Sequence, residues 1–343
     1  MRKYILSLLL AVITIPSIAQ KHKAPAPMFR DPITDGAADP VVFWNDVEKC
    51  WWMLYTQRRA NQETGDVAYC YGNPIGIAQS DDNGASWYYR GTLDLKIDRG
   101  HNTFWAPEIV YDKGVYHLFV AYIKGVRNQW GGRARLVHFT SKNLWDWKYR
   151  GLVDIGSENA IDITIFKKSD GTWRAWYKDE TAGSHTFYSD SRDLFHWSKG
   201  QQAIGGVACE GPKVFQFKDY YWMITDEWHG FRLYRSSDIS NWERQGILLG
   251  EASSRPQDRP QGAHGDVVVI GDKAYVFYFT HPGRDSHPHS PLNNIGNQAY
   301  ELRRSVIQCG ELLFKDGTLE CNHEAGFDFY LPNMNNKINK KNK

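Results

Sequence analysis

The chain has 343 residues, with 41 Lys and Arg against 39 Asp and Glu, so its net charge is close to zero. That balance offers no electrostatic footprint for nucleic acid or for an anionic membrane surface. Five cysteines are too few for a disulfide-dependent scaffold, and their number is odd.

Residues 1–19 read as a signal peptide. Arg2 and Lys3 form a basic start, Ile5 to Ile18 is apolar, and Ser17-Ile18-Ala19 is a small-residue cleavage signal before Gln20. The apolar run is short for a membrane span, and no later segment is apolar enough for one. The expectation is an exported protein, periplasmic or secreted, with a single domain over residues 20–330 and a polar, basic tail over 331–343. Residues 20 to about 38 form a lead-in, expected to pair with the last repeat and cover its edge.

From Asp39 onward one pattern is written five times. A short β-rich opening is followed by an aromatic strand. The openings are Asp39-Pro-Val-Val-Phe43, Ala106-Pro-Glu-Ile-Val110, Asp162-Ile-Thr-Ile-Phe166, Gly211-Pro-Lys-Val-Phe215 and Gly265-Asp-Val-Val-Val269. Four repeats close with a polar turn, a Trp and a Gly, at Ser80 to Gly91, Ser141 to Gly151, Ser189 to Gly200 and Ser236 to Gly246. The fifth lacks that closure and carries a Pro- and His-rich insertion over 281–291, after which Cys309 and Cys321 flank a hairpin turn at Asp316-Gly317 and are placed to form a cross-strand pair. A strand-built period of roughly 45–60 residues is the mark of an all-β, five-bladed β-propeller with one four-stranded sheet per repeat. The 14 Trp and 19 Tyr suit the spaces between blades, with a minority left to stack on sugar rings.

A propeller brings the start of every innermost strand to one axis. The opening positions hold Asp39, Ala106, Asp162, Gly211 and Gly265, and the positions before them hold Ala38, Trp105, Ile161, Glu210 and His264. Three carboxylates, a Trp and a His are thereby expected to meet. A carboxylate at the mouth of an apolar strand is costly to bury without a partner. As isolated residues Asp39 and Asp162 would be ordinary turn caps; their matching positions in the repeat favour a shared site. Paired carboxylates facing a cavity suit glycosidic bond cleavage, one protonated to serve the leaving oxygen and one ionised to activate water.

The motifs Ala38-Asp39-Pro40, Phe104-Trp-Ala-Pro-Glu-Ile-Val-Tyr111, Ile161-Asp162 with Ile165-Phe166, Glu210-Gly211-Pro212 and Ala263-His264-Gly265 resemble, in order, those of glycoside hydrolase family 43. The resemblance covers about residues 30 to 280 and implies a five-bladed propeller of inverting glycosidases. Carried over residue by residue, it makes Asp39 the general base, Glu210 the general acid, Asp162 the residue that orients Glu210, Trp105 a wall of the sugar pocket and His264 an axial residue. It implies no required cofactor, and leaves room for a structural calcium near His264. The third motif departs from the family in having Ile163 where Pro is usual. The implied partner is an oligosaccharide or polysaccharide, with α-L-arabinofuranosides the first expected substrate and β-xylosides, galactosides and galactofuranosides next. A glycan-binding propeller without activity is the alternative from another class. An Arg-Asp-Pro run at Arg30 to Pro32 resembles the fructan-cleaving propellers, but it precedes the first repeat and stands in the wrong order.

Further contacts to sugar are expected from His101 and Asn102, from Trp228, and from Arg303 or its neighbour Arg304 late in blade five. The acidic pairs Asp179-Glu180 and Asp226-Glu227, at the ends of second strands, are expected at a rim away from the axis. Glu108 has no assigned place.

Overall fold

The computed structural model describes residues 22–284, 299–324 and 326–334. The signal peptide, residues 285–291 of the insertion and residues 335–343 of the tail lie outside them. Among the described residues no helix is long and apolar enough to cross a membrane.

Five four-stranded antiparallel sheets each use four consecutive strands. Their innermost strands are Ala37–Asn45, Thr103–Asp112, Ala160–Lys167, Glu210–Phe217 and Ala263–Ile270. The aromatic strands Cys50–Gln57, Val115–Ile123, Trp173–Asp179, Tyr220–Asp226 and Lys273–Thr280 pair with them as the second strands. The five repeats are five blades, and the fold is a five-bladed β-propeller. The closing glycines Gly91, Gly151 and Gly246 lie inside the fourth strands of their blades, whereas Gly200 precedes the fourth strand of blade three, Gln201–Ile204.

The aromatic strands are buried on both faces because each blade is a slab between two others. Successive side chains of a strand point to opposite faces. Trp51 and Met53 join the cluster shared with blade five, while Trp52 and Leu54 join the one shared with blade two. Further clusters join blades two and three, three and four, and four and five.

The polar closure of each repeat has a local cause. Ser141 Oγ accepts the Leu144 N–H, and Ser191 Oγ accepts the Leu194 N–H, each at 2.9 Å. Leu144 and Leu194 take left-handed φ of 67° and 68°. The following Trp147 and Trp197 indoles each donate to that Leu carbonyl.

The ring is closed by the lead-in and by a segment beyond the last blade. Blade five completes its own four strands with Val306–Lys315 and Thr318–Asn322. The lead-in bridges blade five as expected, Phe29 exchanging backbone hydrogen bonds with Ile307 at 3.1 and 2.9 Å, and it also pairs outside the blade, His22–Lys23 against Asp328–Phe329. Met28 and Phe29 then pack with Phe327, Phe329 and Leu331 into the cluster between blades one and five. The start of the tail is therefore part of the ring: Leu331 is buried and the Pro332 carbonyl accepts the Trp51 indole N–H at 3.1 Å. Cys309 and Cys321 are free thiols. The hairpin register sets Leu312, not Cys309, opposite Cys321.

Candidate active site

Each innermost strand breaks register where it reaches the axis. In blades one to four, two residues of the first strand oppose one of the second, at Asp39-Pro40, Ala106-Pro107, Asp162-Ile163 and Gly211-Pro212. The first of each two has left-handed φ, 49°, 47°, 57° and 55° in turn. Blade five breaks between Ala263 and Gly265, leaving His264 as the extra residue. A bulge bends its strand and re-aims a side chain, and here it turns the opening side chains towards the axis. Left-handed φ at a residue other than Gly costs of order 1–3 kcal/mol, a strain found preferentially at functional sites.

The bulges open onto a cavity of about 620 Å³, lined by Asp39, Asp162, Glu210, Asp226 and His264 among others. Trp105 and Trp228 also line it, with Trp130, Lys178, Arg58 and Glu180. Trp105 is fixed by its indole N–H, which donates to the Cys70 carbonyl at 2.6 Å, and by an edge contact with Tyr71 at 4.9 Å.

The side chains form one charged network. His264 Nδ1 lies 3.5 Å from Asp39 Oδ1 and 3.9 Å from Asp162 Oδ2. Asp39 also meets the Arg58 guanidinium at 3.5 Å. Asp162 Oδ2 accepts the Gly211 backbone N–H at 3.1 Å, tying blade three to blade four. Lys178 Nζ lies 3.2 Å from Glu210 Oε2 and 3.0 Å from Glu180 Oε1. Asp226 is fully buried; its Oδ2 accepts the His264 backbone N–H at 2.9 Å and its Oδ1 that of Trp228 at 2.6 Å.

Burial and crowding of like charge move the protonation states apart. Burial raises the Asp162 carboxyl to about 6; His264 opposes the shift and Glu210 adds to it. Burial, then the charge of Glu210, raises Asp226 to about 7, against the two backbone N–H donors. Burial alone would lower the His264 imidazole, but Asp162, Asp39, Glu210 and Asp226 together raise it. The site thus holds carboxyl groups that keep a proton near neutrality beside others paired with cations, which is what concerted acid and base chemistry needs.

Six of the nine expected site residues line this cavity: Asp39, Asp162, Glu210, Trp105, His264 and Trp228. His101, Asn102 and Arg303 do not. His101 Nε2 bonds the Gly72 carbonyl, and Asn102 bridges Asp98 and Gly125, so both brace the loop before blade two. Arg303 is buried and donates to the Gln62 carbonyl. Asp226 and Glu180, expected at a rim, are in the cavity. Glu210 and Asp226 are directly opposed residues in the antiparallel ladder, because the end of a second strand returns beside the start of the first. That geometry was available from the repeat itself. Glu227 instead pairs with Arg232 and Arg244, and Asp179 closes a turn with Thr181.

By sequence, no family model and no curated protein matches the chain. Solved structures do match. A thermostable family-43 glycoside hydrolase superposes with a TM-score of 0.65 over 90% of this chain and 100% of its own, at 19% identity. The chain has the family-43 propeller fold. A family-43 β-1,3-galactosidase solved with galactodeoxynojirimycin gives 0.66 over 89% of this chain and 100% of its own, at 14% identity. A β-xylosidase/α-arabinofuranosidase of family 43 from a compost microbial metagenome, solved with xylotriose, gives 0.64 over 89% and 99%, at 13%. The likeness in fold is to structures of the family whose motif order the sequence resembles.

Proposed function

We propose that this protein is a glycoside hydrolase that cleaves with inversion, using Asp39 as general base and Glu210 as general acid. The observation that carries this reading is the meeting of Asp39, Asp162 and Glu210, from three separate blades, in one cavity. Asp39, flanked by Arg58 and His264, is placed to take a proton from water. Glu210 needs a proton to give to the leaving oxygen. Asp162 and Asp226 stand beside it in the cavity as its carboxyl neighbours. Lys178 Nζ bridges Glu210 and Glu180 and so fixes the position of the Glu210 carboxyl. Trp105, Trp130 and Trp228 supply flat apolar faces for sugar rings.

The substrate class follows from the resemblance and from the neighbours in fold. An α-L-arabinofuranoside stands first, with β-xylosides and galactosides next, and the cavity volume is in the usual small-ligand range. Export to the periplasm or exterior, with glycan degradation there, accompanies this reading. The deciding experiment is a panel of aryl glycosides with proton NMR of the first-formed sugar. The expected result is hydrolysis of at least one member with the anomer of opposite configuration released first. Release of the same anomer overturns inversion; binding without cleavage across the panel overturns hydrolysis and makes the protein a glycan-binding propeller.

A further inference from the structure

One or two residues past the bulges, a second layer of groups meets on the axis. The Lys213 ammonium lies 2.9 Å from Glu108 Oε2 and 2.8 Å from Asp266 Oδ1. The other Glu108 oxygen accepts the Ile165 backbone N–H at 3.2 Å, and the other Asp266 oxygen accepts that of Val42 at 2.7 Å. Val42 belongs to blade one, Glu108 to blade two, Ile165 to blade three, Lys213 to blade four and Asp266 to blade five. A single buried cluster thus touches all five blades.

Two buried carboxylates cannot both stay ionised at close quarters unless a positive charge stands between them. A hard divalent cation with oxygen ligands meets that need in many proteins. Here the charge is covalently attached. His264, two residues before Asp266, turns its Nδ1 to Asp39 and Asp162. Among the described residues there is no group of three or more His, Cys, Asp or Glu side chains arranged to hold a metal ion. A calcium ion on the axis would have to take the place of the ammonium, so the calcium expected near His264 does not fit the residues there.

We propose that Lys213 is the tethered axial cation of this propeller: it stands where a divalent ion would otherwise be required to join Glu108 to Asp266, and the ring holds its centre without calcium. A corollary gives the test its reach. Calcium-to-oxygen distances are about 2.3–2.6 Å, a few tenths shorter than the present contacts to Lys213. Taking away the ammonium therefore leaves two carboxylates spaced to close on a divalent ion, with water filling the volume of the lost side chain.

The experiment is thermal unfolding of the full chain and of Lys213→Ala, with EDTA, calcium chloride or sodium chloride at matched ionic strength, alongside metal analysis of the purified wild-type protein. For the wild type the expected Tm is the same in EDTA and in calcium, with no stoichiometric calcium bound. For Lys213→Ala it is lower by several degrees, and calcium raises it where sodium does not. A wild-type Tm that falls in EDTA and recovers with calcium overturns the proposal, and so does stoichiometric bound calcium. These wild-type measurements decide the matter alone if the variant does not fold. A folded variant as stable as wild type, or one indifferent to calcium, also overturns it. None of these readouts involves catalysis, so their failure and the failure of the hydrolase reading are separate events.

Discussion

At the scale of single residues, the site divides labour among carboxylates that differ mainly in what surrounds them. Asp39→Asn removes the proposed base, and kcat/KM should fall by about 10²–10⁴-fold. Glu210→Gln removes the acid, with a loss that depends on the leaving group. An aryl glycoside with a very acidic phenol needs little protonation, so Glu210→Gln should be much less impaired on it than on a natural disaccharide. Asp39→Asn should be equally impaired on both; steady-state kinetics on the two substrates reads the difference. Asp226 makes a further separable prediction. It titrates near 7 and stands directly opposite Glu210 in the ladder, so Asp226→Asn should change the shape of the kcat/KM profile around that pH. The same group has a stability signature. Its folded pKa of about 7 lies above the ordinary 3.8, so the folded chain binds the proton more tightly. The stabilisation this gives is complete below about pH 4 and is lost as pH rises through 7. The Tm difference between Asp226→Asn and wild type should therefore shift in favour of the variant across that range, as thermal unfolding at several pH values would show.

At the scale of elements, the bulge converts a strand repeat into a site. Gly211 has φ of 55°, and a Cβ there would stand 2.7 Å from Cγ and Cδ2 of the His264 ring. Gly91 has φ of 126° with open space around it. Both Gly→Ala changes should cost about 1 kcal/mol or more from backbone strain. Only Gly211→Ala should also displace His264 and lower kcat, by about 10-fold or more, since small misplacements at a reacting centre are expensive. Equal kinetics for the two variants would remove His264 from the machinery. The bulges also explain what could be read in advance. Five openings in phase identified the axis-facing residues Asp39, Asp162, Glu210 and His264, because periodicity survives without coordinates. Asp226 was misread because strand ends were counted along the chain and not folded back across the ladder. His101 and Asn102 are suggested only by proximity in sequence to Trp105 and Arg303 only by its late place in blade five, and loop backbone groups claim their polar atoms instead. Glu108 had no assignable place because its partner, Lys213, lies 105 residues away.

At the scale of the whole molecule, the ring is a circuit of five equivalent joints, and one of them has a different composition. The joint between blades one and five draws on residues 28–29 and 327–331 as well as on the blades themselves. Phe329 is fully buried there, with edge contacts to Tyr275 and Phe277. Phe329→Ala should destabilise by about 3–5 kcal/mol, read as a lower midpoint in denaturant. A loss under about 1 kcal/mol would mean that the joint holds without this segment.

That last joint has a temporal side. While the polypeptide is still being made, blades one to four can fold as they emerge, yet the outer flank of blade one stays partly bare until blade five and then residues 327–331 have appeared. An arc with an uncovered apolar end is a substrate for chaperones and proteases. The circle is sealed by residues made after all five blades, so its closure waits on one short stretch of chain.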